Sequence, residues 1–534
     1  MGKVFAVGLA VVAALLIGTF AGAARAAGNF DCDESWSLCA EPVDSIGYAG
    51  EYTGHDEPSL LFYSNQAGSG NSSTYNLTLP DDPRVMPNQA GTGGTWNFQL
   101  RPAFWLGMAL CDNQSAPEYT HDACVAGSDT NIKDGSDPGQ PDYIGYHAGT
   151  AFLELQFYPP GWAPWPAGIS CDARKWCAAM AIFSLNNDYN NGVANNGDCL
   201  GTVGIEPVNF AFITLSGLPH APPSPLEATG DTFTPHSSSD LFMGSGDKLV
   251  VDIHDSEAGL VTVIHDVTTH QTGSMVASVA NGFAQINFDP EASQCTQSPY
   301  AFRPMYSTAS EHTRVPWAAH TYNVAFSDEI GHFDYCSSVP FETGPCADPG
   351  AEEDLDYCFS ASFSLLVPIG GCAATDNDFD GSSYQTVWPG TDPNRGQDVK
   401  YHPTSVEFTS PLFNGTRNYN RVAFEADLPR IEAADFGGIC NRDTGENCVN
   451  PPPGANFYPI YTTGSGDPAH GGHGSCVWHL GGRYIRGTTN TFGGNSTAEY
   501  GPLLLSNYPN VGFVPRFRYN NFRQVLSTNP CAAS

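Results

Sequence analysis

Alternation of apolar and polar residues along this chain predicts β-strands. In the segment 150–158, TAFLELQFY, the polar residues Glu154 and Gln156 share one face with Tyr158, and mainly apolar residues fill the other, because successive side chains of a strand point to opposite faces. Further predicted strands, each bounded by turn residues, lie at 248–254, 260–265 and 422–428. Short strands separated by Gly and Pro predict a mainly β fold of two or three β-sandwich or jelly-roll modules with long disulfide-stapled loops.

The length of the chain, 534 residues, exceeds what one compact core accommodates. The stiff, Pro-rich stretch LPHAPPSP at 218–225 marks the clearest boundary. The predicted units are an N-terminal β domain at 27–217, a linker at 218–231, a central β-sandwich module at 232–368 and a loop-rich C-terminal region at 369–534. An arrangement in which the two outer regions form one domain around the central module stays open.

The first 26 residues have the organisation of a signal peptide. Lys3 supplies the positive charge, 4–20 is an apolar run, and the sequence Ala24-Arg25-Ala26 is a small-x-small cleavage site. A membrane anchor is the alternative, but this run is at the lower limit for crossing a bilayer. The pattern predicts a secreted, extracellular product.

Cysteine usage agrees with export. The chain has 16 cysteines, all beyond residue 26, and no C-x-x-C spacing of the kind that binds zinc. Structural disulfides are therefore predicted. Spacing does not fix connectivity, so pairing of near neighbours is a working hypothesis: Cys32–Cys39, Cys111–Cys124, Cys171–Cys177, Cys346–Cys358 and Cys440–Cys448.

The charge balance narrows the choice of partners. Asp and Glu outnumber Lys and Arg by 56 to 21, which gives a net charge of −35. Nucleic acid is not a predicted partner because its recognition requires a basic surface, and an anionic membrane is disfavoured for the same reason. The acidity is compatible with an acidic extracellular medium or with a role in solubility. No organic cofactor is predicted, and the oligomeric state is not indicated.

One acidic motif is typical of a cation-binding loop. Asp376, Asp378 and Asp380 alternate and are followed by Gly381, so that a tight loop can place several oxygens around a calcium ion. A complete twelve-residue loop ends in Glu, whereas this sequence has Val387 there. The motif therefore indicates a partial, structural calcium site, and an Asx-rich turn is the alternative.

The strand at 150–158 is the leading candidate for catalysis. Glu154 and Gln156 form a polar pair on one face with Tyr158, and Trp162 and Trp165 follow directly. Aromatic side chains can stack on the apolar faces of sugar rings, so Tyr158, Trp162 and Trp165 are the predicted substrate-binding residues.

A second acid is required for glycoside hydrolysis, since most glycosidases use two carboxylates at a defined separation. Glu425 and Asp427 share one face of another predicted strand and are the candidates. The alternative is that these groups belong to the solvated face of an antiparallel sheet. Neighbouring His254 and Asp255 are not expected to act together, because adjacent strand residues point to opposite faces.

The stretch 246–269, which contains GDKLVVDI and GLVTVIHDVTT, resembles a strand pair of the glutamic peptidases. Members of that family are secreted β-sandwich enzymes active in acid, and they use a Glu and Gln dyad. The resemblance implies an acid-active peptidase. In this sequence Glu154 and Gln156, or another carboxylate pair, are the candidates for its catalytic residues.

Three functions are thus under consideration. The first is an extracellular hydrolase that cleaves polysaccharide through carboxylate acid/base residues. The second is an acid-active glutamic-type peptidase with a protein substrate. The third is a non-catalytic glycan-binding or cell-surface protein, which the same aromatic and acidic features suit.

Overall fold

The structure is a computed structural model that describes part of the chain. The described residues are 59–63, 72–80, 104–115, 126, 150–158, 171–172, 174–188, 193–304, 322–328, 404–409, 412–413, 417–418, 421–428, 461–465, 476–480, 505–506, 517–518, 520–526 and 531. Strands in them are numbered β1 to β24 in chain order. The signal peptide predicted at 1–26 lies outside these residues.

The larger of two antiparallel sheets has nine strands. They are β1 (Ser59–Tyr63), β3 (Phe104–Cys111), β4 (Thr150–Tyr158), β5 (Cys177–Ser184), β8 (Val208–Phe212), β14 (Arg303–Pro304), β15 (Tyr322–Asp328), β19 (Arg421–Leu428) and β24 (Asn520–Leu526). Their order is β24-β19-β1-β15-β3-β4-β5-β8, and β14 also pairs with β3. The strand that carries the candidate catalytic residues, β4, therefore has a neighbour on each side.

The smaller sheet has seven strands. They are β2 (Ser72–Thr78), β9 (Lys248–Ser256), β10 (Gly259–Asp266), β11 (Gln271–Ala277), β16 (Thr404–Thr409), β20 (Tyr461–Ser465) and β21 (Cys476–Leu480). Their order is β11-β10-β9-β2-β16-β21-β20. A short turn connects β9 to β10, and another connects β10 to β11. These turns fix the register in which the strands of each hairpin pair.

Short ribbons and two helical turns complete the described structure. The ribbons pair β6 (Asn187–Asp188) with β7 (Val193–Ala194), β12 (Ala284–Ile286) with β13 (Gln297–Pro299), β17 (Leu412–Phe413) with β18 (Arg417–Asn418), and β22 (Leu505–Ser506) with β23 (Phe517–Arg518). Helix α1 spans Gly197–Val203, and its first turn is capped by the Asn196 side chain, which accepts from the Cys199 N–H. A 3-10 turn spans Val279–Asn281. No helix among the described residues is long and apolar enough to cross a membrane.

Alternation in the sequence explains why these segments form strands. In β9, Leu249, Val251 and Ile253 are buried while the residues between them are partly exposed. The strand predicted at 150–158 is confirmed as β4 over its full length. Every residue of β5 is buried, so both faces of the larger sheet are covered at that strand. The mainly β class predicted from sequence is confirmed.

Both sheets take strands from all three segments that the sequence suggested as units. The larger sheet joins strands from 27–217, 232–368 and 369–534, and so does the smaller one. Predicted boundaries therefore do not coincide with boundaries between sheets. The Pro-rich stretch also packs on the larger sheet, since the carbonyl of Pro223 accepts from the N–H of Phe210 in β8 at 2.9 Å.

The described part of the chain contains structural disulfides, as predicted. One of them joins two cysteines that are far apart in the sequence, which the near-neighbour hypothesis did not suggest. Cys171–Cys177 is confirmed. Cys199 of α1 bonds to Cys295, which is 96 residues away. Cys111 and Cys531 each take part in a disulfide as well. The pairs Cys32–Cys39, Cys346–Cys358 and Cys440–Cys448 and the residue Cys124 lie outside the described residues.

Candidate active site

Three side chains on one face of β4 form a chain of hydrogen bonds. The Tyr158 hydroxyl donates to Gln156 Oε1, and Gln156 Nε2 donates to Glu154 Oε2 at 2.5 Å. Spacing by two residues places all three on the same face of the strand. Because the amide oxygen accepts from Tyr158, the amide nitrogen faces Glu154, and the carboxylate has a fixed donor.

Of these three residues, only Glu154 is partly exposed. Tyr158 is 2% exposed and Gln156 is 1% exposed, whereas Glu154 is half-buried. A buried amide needs its hydrogen-bonding groups satisfied, and the chain from Tyr158 to Glu154 does this. Glu154 is therefore the partly exposed end of the chain of hydrogen bonds, while the other two side chains lie within the protein.

The residues paired with Glu154 in the two adjacent strands are small. Its partners in the two adjacent strands are Gly107 in β3 and Ala181 in β5. Larger residues stand on either side along the sheet, and Trp105 meets Phe152 edge to face with centroids 5.6 Å apart. Glu154 thus lies between two small residues across the sheet, with buried aromatic side chains nearby on the same face.

The second acids predicted from sequence are distant from Glu154. Glu425 lies on β19, and the register from β19 through β1, β15 and β3 places it in the same row as Glu154. Four strand spacings of 4.7–4.9 Å separate the two positions by about 19 Å along the sheet. Glycosidase carboxyl pairs are about 5–9.5 Å apart. Neither Glu425 nor Asp427, two residues further along β19, is brought beside Glu154.

The other predicted site residues lie outside the described residues. These are the aromatic residues Trp162 and Trp165 and the carboxylates Asp376, Asp378 and Asp380. Their roles in sugar and calcium binding stay predictions. Within the described part of the chain, no group of three or more His, Cys, Asp or Glu side chains is placed to hold a metal ion.

A polar cluster on the smaller sheet was not anticipated. His254 Nδ1 contacts Asp252 Oδ1, and Thr74 Oγ1 of β2 donates to Asp252 Oδ2 at 3.0 Å. Asp255 instead approaches Arg303, with Nη1 and Oδ1 3.3 Å apart. The expectation that His254 and Asp255 do not act together is confirmed. The sequence pattern D-x-H within a strand would have identified the pair that does form, Asp252 and His254.

A buried carboxylate beside the end of β3 has neutral donors around it. Asp112 accepts from Ser184 Oγ at 2.6 Å, from Gln285 Nε2 at 2.6 Å and from the Gln114 N–H at 2.9 Å. Burial raises the pKa of Asp112 above its usual 3.8, although these hydrogen bonds act in the opposite direction. Burial is also the main cause of the raised pKa of Asp247. In both cases the folded protein binds the proton more tightly than the unfolded chain.

We expect Asp112→Asn to remove a pH-dependent part of the stability. The contribution of a carboxyl group with a raised folded pKa is complete below pH 3.8 and is lost as the pH rises through the folded value. The difference in unfolding free energy between wild type and variant should therefore shrink from about pH 3 to about pH 7. Urea denaturation across this range measures it, and a difference that is constant with pH would contradict the assignment.

Comparison with known proteins adds no assignment to this site. No family model matches the chain, and no curated protein and no solved structure matches it significantly.

Proposed function

We propose that this protein is a secreted hydrolase that cleaves peptide bonds in an acidic medium, with Glu154 as the general base. The observation that carries the proposal is the hydrogen bond from the buried Gln156 amide to the half-buried Glu154 carboxylate. Among the three functions considered from sequence, the glutamic-type peptidase is the one that requires a Glu and Gln pair.

The reaction needs a single carboxylate that changes its protonation state. Glu154 takes a proton from a water molecule, and the oxygen of that water adds to the carbonyl carbon of the scissile bond. The protonated Glu154 then gives the proton to the amide nitrogen, the C–N bond breaks, and the amine leaves. No proton or electron is left over, and no cofactor takes part.

Gln156 acts in this scheme as a positioning residue. Its amide is buried and touches Glu154. A hydrogen bond donated to a carboxylate favours the charged form, which is the form a general base requires in acid. Tyr158 fixes the orientation of the amide and so keeps the donor directed at Glu154.

Cleavage of polysaccharide has less support from the described residues. The acid/base pair of a glycosidase needs a second carboxylate within about 10 Å, and the candidates on β19 are about 19 Å away along the sheet. Trp162 and Trp165 remain the argument for a sugar substrate. Polysaccharide hydrolysis is therefore the alternative outcome of the test below.

We also infer that the two sheets pack against each other as a sandwich. Gly273 of β11 supports this inference, because a Cβ there would lie 2.8 Å from Leu241 Cβ and 2.9 Å from Ile213 Cγ2, directly after β8. Arg303 of β14 reaches Asp255 of β9. The edge strands β8 and β11 thus approach closely at one place, and β14 approaches the end of β9 at the other.

The purified protein, offered denatured casein and several polysaccharides between about pH 3 and 7, tests the proposed function. We expect peptides to be released in acid without new reducing ends. Reducing ends without peptides would instead identify a glycosidase and refute the peptidase. Retention on a glycan column without cleavage of any substrate would identify the binding protein.

Replacing Gln156 by Met should weaken catalysis without removing the base. The apolar side chain no longer donates to Glu154, so the acidic limb of the pH–rate profile should move to higher pH, and kcat should fall about 100-fold as the carboxylate loses its orientation. Gln297→Met is the matched control, because Gln297 donates to Ser224 away from β4. A Gln156→Met enzyme with the wild-type pH profile would exclude the positioning role.

A further inference from the structure

Residues 215–240, here called the strap, connect the larger sheet to the smaller one. Thr214, two residues after β8, forms isolated β-bridges with Asp240 at the end of the strap and with Ser274 of β11. The Thr214 N–H donates to the Ser274 carbonyl at 3.2 Å, and the Ser274 N–H donates back at 2.8 Å. The Leu215 N–H donates to the Ser239 carbonyl at 2.7 Å. Both ends of the strap therefore meet where the edges of the two sheets touch.

A histidine inside the strap faces an acceptor with each of its ring nitrogens. His220 Nδ1 lies 2.9 Å from Asp240 Oδ1, and Nε2 lies 3.0 Å from the carbonyl oxygen of Asp231. A carbonyl and an ionised carboxylate only accept hydrogen bonds, so both contacts are satisfied only when both nitrogens carry a proton. The side chains of His220 and Asp240 are 9% and 0% exposed, so water compensates poorly if the bond between these two side chains is lost.

Three titratable groups among the described residues face this ring, and all belong to the strap. They are Asp240, Asp231 and His236, whose ring stacks on that of His220 with centroids 4.1 Å apart. His236 Nε2 lies 2.8 Å from Asp231 Oδ1, and its backbone N–H donates to Asp240 Oδ2 at 2.6 Å. From β8 the neighbour is the uncharged Phe212, whose centroid is 5.7 Å away.

We propose that His220 and Asp240 form a pH-operated clasp that holds the strap closed at the junction of the two sheets. The clasp is closed while the ring is a cation. When the ring loses one proton, a lone pair faces either the carboxylate or the Asp231 carbonyl, and one of the two contacts breaks. The strap then loosens where it joins the sheets. This device does not depend on the function proposed for Glu154.

The direction of the switch follows from the surroundings of the ring. Burial alone would lower the pKa of His220, but the hydrogen bond and charge of Asp240, together with the carbonyl and charge of Asp231, outweigh it, so the pKa is raised above 6.5. The stabilisation is therefore complete below pH 6.5 and is lost as the pH rises through the folded value. The clasp is closed in acid and opens as the pH rises through the folded pKa of His220, which lies above 6.5.

Hydrogen exchange of the wild-type protein tests the clasp. Exchange of strap amides, corrected for intrinsic rates, is compared between about pH 5 and about pH 9 with that of β9 and β10. We expect strap protection to fall severalfold at the higher pH while the β9–β10 hairpin keeps its protection. Equal changes in both regions, or no change in the strap, would overturn the proposal.

His220→Gln provides the matched variant, because a glutamine side chain donates from one end only. We expect its strap to exchange faster than wild type at about pH 5 and to show little further change at about pH 9. His265→Gln, on β10 beside Thr272, is the control and should keep the wild-type profile. A His220→Gln strap that keeps the wild-type pH dependence would refute the clasp.

The protonation state of the wild-type ring gives a test that needs no variant. Ring ¹⁵N and ¹³C shifts distinguish the imidazolium from the neutral ring. We expect His220 to be an imidazolium at about pH 6.5, the midpoint for an ordinary histidine. A neutral ring at this pH would refute the clasp even if His220→Gln failed to fold.

Discussion

Replacing Glu154 by Gln should lower the turnover of denatured casein about 10³-fold while the fold stays intact. Glutamine keeps the shape of the side chain and can still accept the hydrogen bond from Gln156 Nε2. It cannot take a proton from water, so the general base is lost. Initial rates at the pH optimum measure the effect, and circular dichroism checks the fold.

Glu257→Gln is the matched control for this experiment. Glu257 is exposed in the turn between β9 and β10, so the same chemical change there should leave turnover unaltered. If Glu154→Gln retained full activity, Glu154 would be removed from the reaction. If both variants lost activity equally, the loss would reflect the total charge of the protein rather than the site.

Of the two disulfides described in full, Cys199–Cys295 should cause the larger loss of stability when it is removed. The bond closes a loop with a sequence separation of 96, and the chain-entropy relation assigns about 4.7 kcal/mol to a loop of this size. We expect the double variant Cys199→Ala, Cys295→Ala to lose about this much unfolding free energy. Denaturant titration of wild type and variant under oxidising conditions measures the difference.

The pair Cys171–Cys177 supplies an internal comparison. Its sequence separation is 6, for which the same relation gives about 2 kcal/mol. The double Ala variant of this pair should therefore be less destabilised than that of the long-range pair. An equal or larger loss at the short loop would show that loop entropy is not the main source of the stabilisation.

Local pattern was sufficient to predict the strand that carries the candidate site. In β4 the strict alternation and the following Pro-Pro-Gly define both the strand and its end. The same alternation placed Glu154, Gln156 and Tyr158 on one face, which is a property of the backbone alone. The alternation does not show that Gln156 donates a hydrogen bond to Glu154. Nor does it show that Gln156 is buried while Glu154 is partly exposed, because burial depends on the neighbouring strands.

Pairings between distant segments could not be predicted. Glu425 and Glu154 looked like candidates for one site, yet three strands lie between their own. The partner of Cys199 is 96 residues away, whereas spacing favoured near neighbours. In each case the sequence shows which residue types are present but not which of them meet. An antiparallel sheet can pair strands that are almost any distance apart along the chain.

The sequence by itself thus determined the mainly β class, the disulfide chemistry and the face on which the Glu154 and Gln156 side chains lie, because these depend on short-range periodicity and residue type. Tertiary structure alone decided which strands are neighbours and which carboxylates are far apart. It also decided that both nitrogens of His220 meet acceptors. These properties depend on how distant segments are brought together, and burial, hydrogen bonds and neighbouring charges then set the charge state of the groups enclosed between them.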